Sequence, residues 1–331
     1  MLDKVYEQSV NLVIKAAEYY YYEGLGQSEI SERLEVSVPT VSRLLKKARE
    51  MKMVEFYIPS RYLRTIELEK RLMDKFHLRQ IIVSPDNSLE QEANEDEIKK
   101  NVAMEGARYL QRIITADDTV GVAWGGTMYY LINYLNPSQR VDAAFATLHG
   151  SLSDIADTMD AQTLVSRMGR AFNGKGYYIF SKALMKSEET VKKAWNTPGG
   201  LKIRECFRNI TLSISGVGAF WPEMTSTLSR KPYLSEQEVE MLRKENVCAD
   251  IMLRFINRKG EECDTVLKDR TISIDLEEYR TIPNKVIVAS GYQKAAAVSA
   301  LIQGRLVDTL IIDLGLAEKL IEDAGEGLDG R

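Results

Sequence analysis

Seven short apolar runs between residues 80 and 313 constrain this chain more than anything else in it. They are QIIV (80–83), TVGVAW (119–124), AAFATL (143–148), YYIF (177–180), NITLSIS (209–215), KVIVAS (285–290) and DTLIID (308–313). Several are continuous rather than alternating, so those strands need cover on both faces. Helical patterns at 98–114, 126–135, 158–172, 291–303 and 315–323 fall between them. Strand alternating with helix predicts a mostly parallel, doubly wound α/β domain. At 331 residues the chain has room for two or three domains. No apolar run is long enough to span a bilayer, and the first twenty residues lack a small-residue cleavage site. Three cysteines without close spacing and only two histidines, His77 and His149, leave little for a disulfide framework, a metal centre or a histidine triad. A cytoplasmic protein with no metal, no cofactor and no catalytic residue is the expectation.

In parallel sheets, ligands bind beyond the carboxyl ends of the strands, and four places there stand out. Gly125, Gly126 and Thr127 separate a strand from a helix. Backbone N–H groups at a helix start beside a hydroxyl can hold an anion, although glycine pairs also serve as plain tight turns. His149 and Gly150 end another strand, and Gly216 and Gly218 end a third. Ser290 and Gly291 precede a helix with Lys294 in its first turn. A cation there opposes the helix dipole, so it suits an anion bound alongside; a lysine touching nothing is the alternative.

The first sixty residues differ in pattern. Val10, Val13, Ile14 and Ala17 read as an amphipathic stripe, followed by the tetrad Tyr19–Tyr22, read as core and interface filler, and by Gly24 as a stop. A second helix covers 28–34. In the third, Ser37 is a good N-cap and Pro39 sits in the first turn. Val41, Leu44, Leu45 and Ala48 repeat at helical spacing and face inward. Thr40, Ser42, Arg43, Lys46 and Lys47 then face outward. Between Val38 and Lys52 there are five Lys/Arg and one acid, although residues 1–60 hold eight Lys/Arg and nine Asp/Glu and the whole chain carries −4. Positive charge is therefore local, on one face of one helix. Two short helices joined by a tight turn make a helix-turn-helix, with hydroxyls for phosphates and Arg43 for a base edge. MVEFYI (53–58), with Val54, Phe56 and Ile58 inward, is expected to form a wing strand.

AAEYYYYEGLGQSEISERLEVSVPTVSRLLKKARE (16–50) resembles the N-terminal segment of the SorC (sorbitol-operon regulator) family of bacterial transcription factors. Glu35 and Lys52 stand where that family usually has glycine; a left-handed Glu35 carries about 1–2 kcal/mol of strain. The resemblance continues through GVAWGGT, GVG and the segment 271–321, covering nearly the whole chain. It implies a fold related to sugar-phosphate isomerases, a sugar or sugar-phosphate effector, and an oligomer, dimer or tetramer. By matching position, Gly125, Gly126, Thr127 and Lys294 would hold the phosphate and Gly150 would line the pocket. Asp250 would meet sugar hydroxyls, while His149 stands where the family varies. Gln27 joins Ser37, Pro39, Thr40, Ser42, Arg43, Lys46 and Lys47 as the DNA-contacting set.

These readings give a winged helix-turn-helix at 1–58, a linker helix at 59–77 and an effector and oligomerisation domain at 78–331. The expected function is sequence-specific binding of double-stranded operator DNA, controlled by a sugar or phosphorylated sugar. The alternative is a phosphosugar isomerase or deaminase with an accessory helix-turn-helix; Asp250 alone offers itself as its acid or base.

Overall fold

The computed structural model describes residues 9–85, 94–152, 158–229 and 233–325, and the chain divides into units at Ser60/Arg61. The first unit contains α1 (Val10–Tyr21), α2 (Gln27–Arg33) and α3 (Val38–Glu50). Val41, Leu44, Leu45 and Ala48 of α3 are buried against Val13, Ala16, Ala17 and Ile30. The inward stripe of α1 is thus Val13–Ala16–Ala17, whose small side chains suit close helix packing, while Val10 and Ile14 are turned to solvent. The expected wing is absent. Residues 53–58 form no strand, because no segment of this unit among the described residues offers a ladder to pair with. Val54 packs on the helices, but Phe56 is 67 % exposed and Tyr57 86 %, with Phe56 edge-on to Tyr21.

Glu35 and Lys52 both adopt the left-handed conformation, at φ 52 and 55. Each closes a helix end where only glycine is free of Cβ strain. Glu35→Gly and Lys52→Gly are each expected to raise stability by about 0.5–1 kcal/mol, the relieved strain exceeding glycine's added unfolded-state entropy. Chemical denaturation of the single variants measures this; destabilisation by either substitution refutes it.

The second unit opens one residue into α4 (Ser60–Phe76), whose Leu68 and Leu72 are buried in that unit's core beside Ile81 and Val83. There follow β1 (Gln80–Ser84), α5 (Glu95–Ile113), β2 (Thr119–Val122), α6 (Gly126–Asn133) and β3 (Ala144–Thr147). Next come α7 (Ala161–Phe172), β4 (Lys175–Tyr177), α8 (Glu188–Trp195), α9 (Pro198–Phe207), β5 (Leu212–Ser215) and β6 (Gly218–Ala219). The remainder is α10 (Glu236–Lys244), β7 (Ala249–Ile251), β8 (Arg254–Ile256), α11 (Leu276–Arg280), β9 (Asn284–Ala289), α12 (Ala295–Gln303), β10 (Thr309–Asp313) and α13 (Leu314–Asp323).

The main sheet has seven strands, all parallel, in the order β1-β10-β9-β5-β2-β3-β4. Along β9, Val286 and Val288 join one apolar cluster, with side chains of α5, α6 and α7. Ile287 and Ala289 join the other, with α12 and α13. Burial on both faces is why these strands read as continuous apolar runs. The fourth strand is centred earlier than 177–180: it ends at Tyr177, and Phe180 is exposed. Beyond that point Ile179 donates its N–H to the Thr147 hydroxyl at 2.9 Å instead of to a ladder. An antiparallel sheet of β6, β7 and β8, unforeseen from the sequence, stands apart from the main one.

Candidate effector cavity and nucleic-acid interface

In the first unit, Ser37 caps α3, its hydroxyl accepting the Thr40 N–H at 3.3 Å and sharing a 2.8 Å hydrogen bond with the Thr40 hydroxyl. Pro39, Ser42, Arg43 and Lys46 are exposed, opposite the buried Val41–Leu44–Leu45–Ala48 stripe, and Lys47 is half-buried on its flank. Gln27 begins α2 and is half-buried. Lys46 lies 3.8 Å from Glu50, a solvent-screened i,i+4 pair that leaves the ammonium available to a phosphate.

In the second unit, β2, β5 and β9 are neighbours at the middle of the sheet, where β2 leads to β3 on one side and β9 to β10 on the other. Such a reversal opens a crevice at the strand ends. A cavity of about 530 Å³, its open mouth included, lies there. Gly125, Gly126, Thr127, Gly216, Gly218, Asp250 and Lys294 all line it. Gly125 takes φ 126 and leaves the N-terminus of α6 without a side-chain cap, so its first N–H groups point at the opening. Lys294 ends a short 3-10 turn, Tyr292–Lys294, and stands at the N-cap of α12, one position before the helix rather than within it.

Asp250 sits on β7, and the Ser226 hydroxyl donates to its Oδ1 at 2.5 Å. Burial is the main reason its carboxyl rises to about 6; the Ser226 hydrogen bond and Lys294 pull the other way. Burial, helped by Lys99, brings the Lys294 ammonium down to about 8 against the attraction of Asp250 and Asp313. Between those values the cavity holds one carboxylate and one ammonium. Gly218 is the ladder partner of Asp250. A Cβ there would collide with the Asp250 carboxylate and stand 2.6 Å from Ser226 Oγ. Gly218→Ala is expected to cost about 1–3 kcal/mol of stability by overpacking and to lower affinity for hydroxylated ligands. Thermal melts and calorimetry check this; a variant with both values unchanged would place the carboxylate elsewhere.

Four expected residues do not line this cavity. His149 is fully buried behind it: Nε2 accepts the Trp124 N–H at 3.1 Å and Nδ1–H donates to the Gly150 carbonyl at 2.8 Å. Burial lowers its pKa, so it stays neutral and holds the strand end that carries Gly125. Gly150 serves a close backbone crossing, since a Cβ would lie 2.7 Å from the Ser181 carbonyl oxygen. Ser290 is buried beneath the turn, and Gly291 spends its N–H on Asp313. The sequence reading missed Trp124, Met252 and the Thr225–Ser226–Thr227 segment, all in the cavity wall. Among the described residues the buried Thr225 Oγ1 has no hydrogen-bond partner there, which leaves it able to meet a polar ligand. No periodicity marks such a loop. Among the described residues there is no cluster able to hold a metal ion and no helix long and apolar enough to cross a membrane.

Residues 60–322 match the family model described as "Putative sugar-binding domain", and residues 18–51 match sigma-70, region 4. The chain is 28% identical over 315 residues to the deoxyribonucleoside regulator of Bacillus subtilis (strain 168), covering 94% of this chain and 97% of that one. It is 22% identical to the sorbitol operon regulator of Klebsiella pneumoniae, over 95% and 98% of the two chains. The crystal structure of that full-length regulator superposes with a TM-score of 0.71, covering 95% of this chain and all of that one. A DeoR family transcriptional regulator from Listeria monocytogenes gives a TM-score of 0.70 at 26% identity, over 77% of this chain and 99% of that one. A helix-turn-helix followed by a sugar-binding α/β domain defines a DNA-binding transcriptional regulator. More narrowly, the chain belongs to the sugar-binding-domain family of such regulators, the SorC family.

Proposed function

We propose that this regulator controls a carbohydrate-uptake or catabolism operon in the cytoplasm and that its effector is a phosphorylated sugar. The phosphate rests on Gly125, Gly126, Thr127 and Lys294, and sugar hydroxyls meet Asp250 and the unpartnered Thr225 hydroxyl. The observation that carries this reading is the meeting, in one cavity, of an uncapped helix N-terminus, a half-buried ammonium and a buried carboxylate. Anion at one end and hydroxyls at the other is the chemistry of a sugar phosphate.

Ser37, Pro39, Thr40, Ser42, Arg43, Lys46 and Lys47, with Gln27 at the start of α2, form the DNA-contacting set. Paired heads on a homo-oligomer, dimer or tetramer, read symmetric half-sites. Leu63 and Ile66 of α4 and the exposed Tyr20 and Tyr22 supply apolar surface for such contacts.

An isomerase would need a base free to move a substrate proton. Among the described residues Asp250 is the one carboxylate lining the cavity and no histidine lines it, so it has no carboxylate or histidine as acid–base partner there, and the relatives named above are regulators. A thermal-shift panel of sugars and sugar phosphates tests the proposal. Stabilisation by phosphorylated sugars and not by their parent sugars supports it; stabilisation by the parent sugars alone refutes the phosphate assignment. NMR of the same mixtures shows whether any substrate is converted, which would revive the isomerase.

A further inference from the structure

Asp313 is the last residue of β10 and the N-cap of α13, and it is buried. Its Oδ1 accepts the Leu316 N–H at 3.1 Å, which is all that capping the helix requires. Its Oδ2 does something else. It reaches to the neighbouring strand's turn and accepts the Gly291 N–H at 2.6 Å. Gly291 takes φ 98, a conformation costly for any other residue, and its carbonyl accepts the Lys294 N–H at 3.0 Å. A continuous path of hydrogen bonds therefore runs from one carboxylate to the backbone of Lys294. Asp313 does not line the cavity into which Lys294 projects. It faces an adjoining hollow bordered by Ser84, Asn101 and Tyr292.

We propose that Asp313 is a positioning residue of the effector site, locking the Gly291–Lys294 turn so that the Lys294 ammonium faces the cavity. This rests on the reading of that cavity as an anion site. A charged acceptor holds a backbone N–H about twice as strongly as a neutral one, which suits a turn that must stay fixed while its lysine binds an anion. The charge has a second consequence. Lys294 is faced by Asp250 from β7, Asp313 from β10 and Lys99 from α5. Removing the Asp313 charge leaves Asp250 alone to offset Lys99, so Lys294 loses its proton at lower pH.

The test uses the full chain, titrated calorimetrically with inorganic phosphate and with ribose 5-phosphate across the Lys294 titration range. Asparagine caps helices as well as aspartate does, so Asp313→Asn keeps α13 intact, and circular dichroism verifies it. Asp313→Asn is expected to bind about tenfold more weakly and to show its alkaline loss of affinity at lower pH than the parent. Asp313→Glu, which restores the charge, is expected to return the pH profile towards that of the parent. A weaker Asp313→Asn with an unshifted profile would assign Asp313 to the fold alone and overturn the proposal, as would unchanged affinity. Lys294→Ala separates the two levels. If it binds both probes like the parent, the cavity reading itself fails; if it loses them while Asp313→Asn does not, only the role of Asp313 fails.

Discussion

Lys294→Ala is expected to remove effector control while leaving DNA binding without effector near the parent level. Among the described residues the lysine is the cation lining the cavity that Gly125–Thr127 also line. Truncating one partner of a partly desolvated charge pair costs about 2–5 kcal/mol, enough to lose a micromolar ligand at working concentrations. A ligand shifts DNA affinity only through its differential affinity for two conformations, typically about 1–3 kcal/mol. Loss of binding therefore removes the whole shift. Reciprocity requires operator DNA to change sugar-phosphate affinity by the same factor in the parent and by nothing in the variant.

The same residue sets a pH dependence. Burial lowers Lys294 to about 8, so its charge is complete below that value and lost as pH rises through it. Burial raises Asp250 to about 6, so its carboxylate is lost as pH falls through that value. The phosphate becomes a dianion above about 6. Affinity is expected to peak between about 6 and 8 and to fall on both sides. In Lys294→Arg, whose guanidinium keeps its charge across this range, the alkaline limb disappears. Calorimetric titration across pH decides this, and an alkaline limb retained in the variant would assign it to another cation.

Lys294 was legible in the sequence because it broke a rule: a cation at a helix start needs an anion to explain it. The glycines at 125–126 and 216–218 were legible because they follow apolar runs that only a doubly covered strand explains. Asp313 was not, since its second hydrogen bond exists only because β10 lies beside β9 in space. Ser226 and Thr225 were hidden for a similar reason: they reach the cavity in an irregular loop folded against β6 and β7, without periodicity. His149 misled because a histidine at a strand end has the chemistry of a ligand. Its burial and two backbone partners, visible only in three dimensions, make it a strut. The wing failed because alternation specifies a face but not a partner strand.

Arg43→Ala is expected to cost about 1–3 kcal/mol on the cognate operator and to relax preference at one base position. The buried stripe of α3 fixes which side chains are presented, and Arg43 stands at the middle of the opposite face, one turn in from the helix start. A guanidinium there can meet two acceptors on a guanine edge at once, which an ammonium cannot. Lys47, half-buried on the flank of that face, is expected to hold the backbone instead. Lys47→Ala should therefore weaken specific and non-specific sequences alike and reduce the salt slope by about one. The two variants thus separate reading from holding. Binding measured against a set of operator variants at several salt concentrations distinguishes them. An Arg43→Ala protein that keeps the parent's base preferences, with Lys47→Ala the one that relaxes them, would exchange the two roles. Parent-like affinity in both would move the interface off this face of α3.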